Sequence, residues 1–180
     1  MRRPVAGLAL VVLLGLTGCM DDGRTGGTGD RTDGSDGAAT SGAAEADRTR
    51  AGDVVRDLLA GLQADGGRPT SATGSFRGCR ERFPEGVAAV EYVASARVDG
   101  VDDLAAVAPR LAGLGLGEPS ATDVPGGRRL AVSDGGLTVT ATHRPAAGAF
   151  VLLGVVGGCH DVAADDQDSW LARAPDDLTP

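Results

Sequence analysis

The feature that most constrains this 180-residue chain is a short apolar run near its amino terminus, residues 5–16, which follows Arg2-Arg3. A helix that crosses a bilayer needs about 20 apolar residues, so this run is too short to remain as a membrane span. A basic start, a short apolar core and small residues at its end are typical of an export signal. We therefore expect residues 1–18 to direct export and then to be removed.

The run ends in Leu16-Thr17-Gly18-Cys19, which resembles the lipobox of bacterial lipoproteins. The resemblance implies that the Cys19 thiol receives a diacylglycerol, that the chain is cut before Cys19 and that the new amine is acylated, for example with palmitate. A thiolate is nucleophilic enough for the first step near neutral pH, and two or three acyl chains anchor a protein stably. Cys19 would then hold the protein on the extracytoplasmic face of the cell membrane. The alternative is an ordinary secretory signal that ends in a cysteine by chance.

The arginine pair leaves two export routes open. Arg2-Arg3 is compatible with twin-arginine export, but the following Pro4, Val5 and Ala6 match that signal poorly. We therefore favour the general secretory route.

The composition excludes several classes of chemistry. The chain has no Lys, Ile or Asn, whose codons are AT-rich, so the source genome is expected to be GC-rich and, with the lipobox, actinobacterial. Without Lys there is no phosphate-loop lysine and no Schiff-base or Ser-x-x-Lys chemistry. Loss of the signal leaves 15 Arg against 25 acidic residues, and this negative charge makes nucleic acid a poor partner.

Two cysteines remain once Cys19 is assigned to lipid. Cys79 and Cys159 form an even pair in an oxidising compartment, which predicts a disulfide. It would close a loop of about 80 residues, worth about 4.5 kcal/mol on the chain-entropy model. Metal or nucleophile duty is the alternative, but neither cysteine has a histidine at ligand spacing.

The composition along the chain predicts four segments. Residues 1–18 are the signal, and residues 19–50 are a Gly-, Thr- and Asp-rich linker that lacks enough large apolar residues to fold. Residues 51–162 form the globular domain. Residues 163–180 are expected to be an acidic tail, where Trp170 docks as an apolar plug; a cation site at Asp165, Asp166 and Asp168 is a weaker alternative.

Periodicity in the domain predicts an α+β fold, with two helices on one face of a mostly antiparallel four-stranded sheet in the order α-β-α-β-β-β. Apolar residues at helical spacing follow Asp53 and end at Gly66, and a second helix begins at Asp102, with Pro109 expected to kink or split it. Residues 66–86 are expected to form a loop. Alternating patterns predict strands at 87–98, 128–133, 137–143 and 149–157, with a tight turn at Asp134-Gly135.

The last predicted strand is apolar on both faces and is therefore expected to be covered on both. Cys159 shares the parity of Val151, Leu153 and Val155, which we assign to the face away from the helices. The disulfide would then draw the 66–86 loop across this face, so that Phe76 and Phe83 cover it. The alternative is that Val151, Leu153 and Val155, together with Val93, form an exposed binding patch.

Few residues suggest a site. His143 and His160 follow strands and could meet at one end of the sheet, as a hydrolase acting on the cell wall would require, although no nucleophile motif accompanies them. Arg77, Arg80 and Arg82 surround Cys79 and could bind an anion, against the simpler expectation that they pair with nearby acids.

The domain, from about residue 51 to Cys159, resembles small exported actinobacterial lipoproteins of uncharacterised function. That resemblance transfers no activity; it implies only the anchor at Cys19 and the disulfide pair. We therefore expect a non-catalytic, membrane-tethered module without cofactor or metal, which binds an envelope protein or a cell-wall ligand.

Overall fold

A computed structural model of the protein describes residues 35–79 and 88–180, with side chains from residue 41 onward. Seven antiparallel strands form one sheet in the order β3-β4-β5-β6-β2-β1-β7. Within these residues, three helices and short 3-10 turns accompany the sheet. The elements are α1 (Ser35–Ala64), β1 (Arg68–Gly78), β2 (Ala89–Asp99), a 3-10 turn (Leu104–Ala106), α2 (Ala108–Ala112), β3 (Ser120–Val124), β4 (Gly127–Ser133), β5 (Thr138–His143), β6 (Phe150–Asp161), α3 (Gln167–Leu171) and β7 (Asp176–Asp177).

The general α+β class is confirmed, but the predicted architecture of two helices on a four-stranded sheet, in the order α-β-α-β-β-β, is wrong. The structure adds β1, β3, β7 and α3. β3 escaped prediction because its side chains are exposed or half-buried, so it carries no apolar alternation. β7 has only two residues, too few to show a pattern.

The first helix is longer than its apolar stripe suggests. α1 runs for 30 residues, about 45 Å at 1.5 Å per residue, so residues 35–50 of the expected linker belong to it. Ala44 in this stretch and Ala51 just after it are buried, and their small side chains let the helix approach the sheet. The helix ends at Ala64 and is followed by Gly66, which has φ +94°, while the Gly67 amide donates to the Leu62 carbonyl at 2.9 Å. This is a Schellman end.

The expected loop at 66–86 contains strand β1, which pairs with β2 along its whole length. Its glycines suggested a break, but Gly74 has a different role. A Cβ at Gly74 would lie 1.9 Å from the Tyr92 hydroxyl oxygen, so only glycine lets that side chain cross the strand. Pro69 lies at the start of the strand beside a register shift, where a missing amide is tolerated.

The prediction of which face of β6 lies towards the helices is also wrong. Val151, Leu153 and Val155 are buried on the face that α1 covers, whereas Leu152, on the other face, is 42% exposed. Both the covering loop and the exposed patch are therefore excluded for these three residues. Phe83 lies outside the described residues.

A register shift reverses the parity of the last residues of β6, from Cys159 onward. Val93 lies opposite Val156, but Glu91 lies opposite Cys159, so β6 carries one extra residue at Gly157-Gly158. A bulge of this kind turns the following side chains to the other face. Cys159 therefore lies on the outer face with Glu91, opposite to the face of Val155, which strict alternation along β6 could not reveal.

The residues expected to form an acidic tail belong to the domain. β7 pairs with β1, and Trp170 packs edge-on against Phe76 with ring centroids 4.7 Å apart. Asp176 accepts hydrogen bonds from the Tyr92 hydroxyl at 2.7 Å and from the Arg48 guanidinium. We call Arg48, Tyr92 and Asp176 the C-terminal clasp, since they join α1, β2 and β7.

Residues 102–112 form the split helix that Pro109 predicted. A 3-10 turn and α2 replace one continuous helix, with Pro109 in the first turn of α2, where its missing amide has no partner to lose. Asp103 caps the 3-10 turn by accepting from the Ala105 amide at 3.0 Å. Among the described residues, no helix has the length and apolar character needed to cross a membrane.

Candidate ligand-binding site

A cleft of about 540 Å³ opens between the sheet and the split helix. Strands β4 and β5 form its base, and the 3-10 turn with α2 forms its wall. The cross-strand pairs Arg128–His143 and Leu130–Ala141 place Arg128, Leu130 and His143 on one face, towards the helices. We call this the His143 cleft. It is lined by Asp102, Asp103, Leu104, Ala105, Ala108, Gly127, Arg128, Leu130, His143 and Pro145.

His143 is the buried polar group of the cleft, and 9% of its surface is exposed. Its Nδ1 lies 2.9 Å from the Phe150 carbonyl oxygen. Since a carbonyl only accepts, Nδ1 carries a proton and donates; when the ring is neutral, Nε2 is then an acceptor. Among the described residues none hydrogen-bonds to Nε2. In this neutral tautomer, the ring nitrogen without a protein partner is an acceptor.

The rim of the cleft is more acidic than basic. Asp102 and Asp103 stand on the wall, and one oxygen of Asp103 is used by the cap. Arg128, on β4, also lines the cleft, and its guanidinium lies 3.5 Å from Asp123. Both side chains of that pair are largely exposed, so the pair is weak. The apolar residues of the lining, which we together call the apolar floor, are Leu130 from the base, Leu104, Ala105 and Ala108 from the wall, and Pro145.

The two histidines do not meet. His143 pairs with Val151 near the start of β6, whereas His160 lies near its end, opposite Val90. Nine residues of strand separate the two positions, roughly 30 Å at 3.3 Å each. His160 instead contacts α1, where the Asp47 carboxylate lies 2.8 Å from its Nε2 and accepts from the Gly158 amide at 2.6 Å. A joint hydrolase site at His143 and His160 is therefore excluded by the topology.

The predicted disulfide between Cys79 and Cys159 is present, with Cα atoms 6.1 Å apart. It borders a groove of about 620 Å³ on the outer face, at the end of the sheet away from the His143 cleft. Arg77 lies in this groove and donates to Glu91 at 2.7 Å, so its guanidinium is paired. Arg80 and Arg82 lie outside the described residues, and the three-arginine anion site stays a prediction.

Other predicted site residues have these positions. Cys19 lies outside the described residues, so lipidation stays a prediction. Asp165, Asp166 and Asp168 lie on the 3-10 turn and helix that carry Trp170. Within the described part of the chain, no three His, Cys, Asp or Glu side chains are grouped as a metal site would require.

Sequence reasoning named His143 and Asp102 without joining them. The turn at Asp134-Gly135 could have linked the two halves of the site, because its register sets Arg128 opposite His143. His143 has the same parity along β5 as the inward-facing Val139 and Ala141, so Arg128 and His143 lie on the face towards the helices. The wall, however, depends on where the chain goes after β2. Pairing rules for neighbouring strands do not fix that path.

The fold and the cleft define an α+β protein with an apolar pocket and a polar rim. No family model matches the sequence, and no curated protein matches it. A solved structure, that of the putative lipoprotein LppA from Mycobacterium tuberculosis, is similar with a TM-score of 0.47 and 15% identity, over 74% of this chain and 84% of that one. At this TM-score the likeness carries no argument about fold or function.

Proposed function

We propose that this protein is a lipid-anchored extracytoplasmic lipoprotein whose folded domain binds a small envelope ligand without transforming it. The anchor is supported by Leu16-Thr17-Gly18-Cys19 and by the short apolar run before it. The Cys79–Cys159 disulfide is in keeping with an oxidising compartment outside the cytoplasm. The chain between Cys19 and α1 would tether the domain at the membrane.

The single observation that carries the binding role is the His143 cleft. Ligand pockets in proteins typically measure about 300–1,000 Å³ and combine apolar walls with a few polar groups that fix orientation. The cleft, at about 540 Å³, has this size and this lining. Its one buried polar side chain is held in a fixed tautomer by Phe150, which suits recognition of a ligand.

A catalytic role finds less support in the same geometry. General acid–base work by His143 needs a nucleophile or a second titratable group within hydrogen-bond reach of its free nitrogen. His160 is at the far end of β6, and the acids that line the cleft, Asp102 and Asp103, are exposed and form no hydrogen bond to His143. The arrangement holds an acceptor above an apolar floor, which is what binding alone requires.

Two measurements test the proposal. Mass spectrometry of the native protein should find residue 19 at the amino terminus with its acyl chains, and Cys19→Ser should move the protein from the membrane fraction. An uncut terminus, or a cut one without lipid, contradicts the anchor. For binding, native mass spectrometry of the purified domain mixed with an envelope extract should show a small-molecule adduct.

The adduct needs a cleft-blocking control. Ala105→Phe places a ring at the cleft wall, and Ala60→Phe adds the same ring on an exposed position of α1, away from the cleft. We expect Ala105→Phe to lose the adduct and Ala60→Phe to keep it. An adduct that survives Ala105→Phe would place binding elsewhere.

A further inference from the structure

We infer that the His143 cleft selects an amphipathic amine, a molecule with an apolar body and a protonated ammonium head. This inference rests on the proposed binding function and adds the chemical class of the ligand. Three observations carry it: the apolar floor, the acceptor nitrogen of His143 and the charge balance of the rim.

The floor determines what the body of the ligand is. Five of the residues that line the cleft have side chains without a hydrogen-bonding group: Leu104, Ala105, Ala108, Leu130 and Pro145. Such a surface gains free energy only by removing apolar area from water. An alkyl or aryl group fits this floor, and a polyhydroxylated body does not.

The acceptor determines what the head donates. The Nδ1–H of His143 is committed to the Phe150 carbonyl, so Nε2 offers a lone pair to the cleft. A carboxylate has no hydrogen to give to this nitrogen. An ammonium or a hydroxyl group does, and Nε2, which has no partner among the described side chains and is not a buried atom, is accessible to it.

The rim distinguishes an ammonium from a hydroxyl. Asp102 has no hydrogen-bond partner among the described residues, and Asp103 keeps one carboxylate oxygen outside its cap. The opposing guanidinium of Arg128 is shared with Asp123 and is largely exposed, with 68% of its side chain in contact with solvent. Two carboxylates therefore outweigh one screened cation, and a charge-assisted hydrogen bond to an ammonium is stronger than one to a neutral hydroxyl.

Three probes that share the same apolar body and differ only in the head group compare an ammonium, a hydroxyl and a carboxylate: 4-phenylbutylamine, 4-phenylbutan-1-ol and 4-phenylbutanoate. Each is titrated into ¹⁵N-labelled chain from residue 20 onward, which contains every described residue, and dissociation constants are read from amide shifts around the cleft. We expect the amine to bind at least about tenfold more tightly than the carboxylate, with the alcohol between them; tenfold corresponds to 1.4 kcal/mol.

Two variants test whether Nε2 of His143 and the Asp102 carboxylate cause the preference for the amine. His143→Asn keeps an amide N–H for the Phe150 carbonyl but removes the Nε2 acceptor, and should weaken both the amine and the alcohol. Asp102→Asn removes one rim charge at an exposed position and should weaken only the amine, by about three- to tenfold. Asp57→Asn, an exposed change on α1, is the matched control and should change neither constant.

The outcomes distinguish the inference from the function it rests on. Binding of the carboxylate as tightly as the amine, or an amine constant that is unaffected by both His143→Asn and Asp102→Asn, overturns the ligand class and leaves a binding cleft. Absence of cleft shifts with all three probes overturns the inference and removes the support for the cleft as a binding site.

Discussion

One row of residues crosses the inner face of the sheet and differs sharply between its two ends. Val98 on β2 and Val151 on β6 are fully buried under α1, whereas Arg128 on β4, in the same row beyond His143, reaches solvent. The first half is covered by a 30-residue helix. The second is covered by a 3-10 turn and a five-residue helix. The difference in cover is what makes one half a core and the other a cleft.

The two halves also treat polar groups differently. In the α1 half the C-terminal clasp satisfies each of its members: Asp176 accepts from Arg48 and Tyr92. The hydrogen bond from Arg48 lowers the pKa of Asp176, and burial together with the bond to Asp176 raises the pKa of Tyr92. In the cleft half, Nε2 of His143 and the Asp102 carboxylate have no hydrogen-bond partner among the described residues. Paired polar groups accompany packing, and unpaired ones accompany an opening.

The largest expected effect on stability comes from removing the Cys79–Cys159 disulfide. Replacing Cys79 and Cys159 by serine should lower the free energy of unfolding by about 4.5 kcal/mol on the chain-entropy model, because the open chain gains conformational freedom. Urea denaturation of the variant and of reduced wild type should agree. Since the disulfide lies at the other end of the sheet, the folded variant should keep the His143 resonances of wild type. Altered resonances would show that the two ends are coupled.

The next effect separates a core leucine from a cleft leucine. Leu59→Ala in α1 should cost about 2–5 kcal/mol, since it leaves an enclosed cavity in a packed core. Leu104→Ala should cost the lower end of that range or less, because the space it leaves joins the open cleft and admits water. Equal losses in urea denaturation would contradict the comparison. Leu152→Ala, on the exposed outer face, serves as the reference for a surface leucine.

A smaller effect appears only in acid and belongs to the clasp. Because the folded-state pKa of Asp176 lies below its ordinary value of 3.8, its carboxylate stabilises the fold above pH 3.8. This contribution is lost as the pH falls from there through the folded-state value. Asp176→Asn should therefore lose stability at pH 7, by about 1 kcal/mol after allowance for solvent screening, and lose less than wild type between pH 5 and 2.

The control for the clasp is Tyr92→Phe, which keeps the ion pair between Arg48 and Asp176. It should retain most of the acid dependence of wild type in urea denaturation at pH 7 and pH 3. If Asp176→Asn and wild type showed the same dependence on pH, the carboxylate would not be held in its charged form by the clasp.

The smallest expected effect on the free energy of unfolding comes from enlarging a side chain in the cleft. Ala105→Leu enlarges an exposed residue of the cleft wall and should change the free energy of unfolding by less than about 0.5 kcal/mol. Ala51→Leu, the same change beneath α1 where no surface is exposed, should cost about 1–3 kcal/mol by overpacking. A comparable loss at Ala105 would mean that the cleft is closed in solution.

Prediction from the sequence succeeded where one element's pattern was enough. The alternation of Val90, Tyr92, Ala94, Ala96 and Val98 identified β2 and its buried face, and Pro109 marked the split in the second helix. It failed where two distant elements decide the outcome. Gly74 looked like a breaker because Tyr92, which needs the space above it, is 18 residues away in the chain.

The candidate site shows the same limit. His143 was visible as a histidine at the end of a strand, and Asp102 as an acid before a helix, but each had a simpler local explanation. Their joint lining of one cleft depends on the path of residues 100–112 over β4 and β5. That path is fixed by burial of Leu104, Val107 and Leu111, which lie against strands far along the chain.

The sequence by itself determined the α+β class, the inward face of β2, the split at Pro109 and the pairing of the cysteines, since each follows from spacing, ring chemistry or elimination. Only the tertiary structure decided which face of β6 meets α1, because a single extra residue at Gly157-Gly158 reverses the parity on which the sequence argument depended. It also decided that residues 35–50 and 163–180 belong to the domain. Small and acidic residues gain little free energy from their own burial, so their place in the fold depends on contacts with residues of other helices and strands.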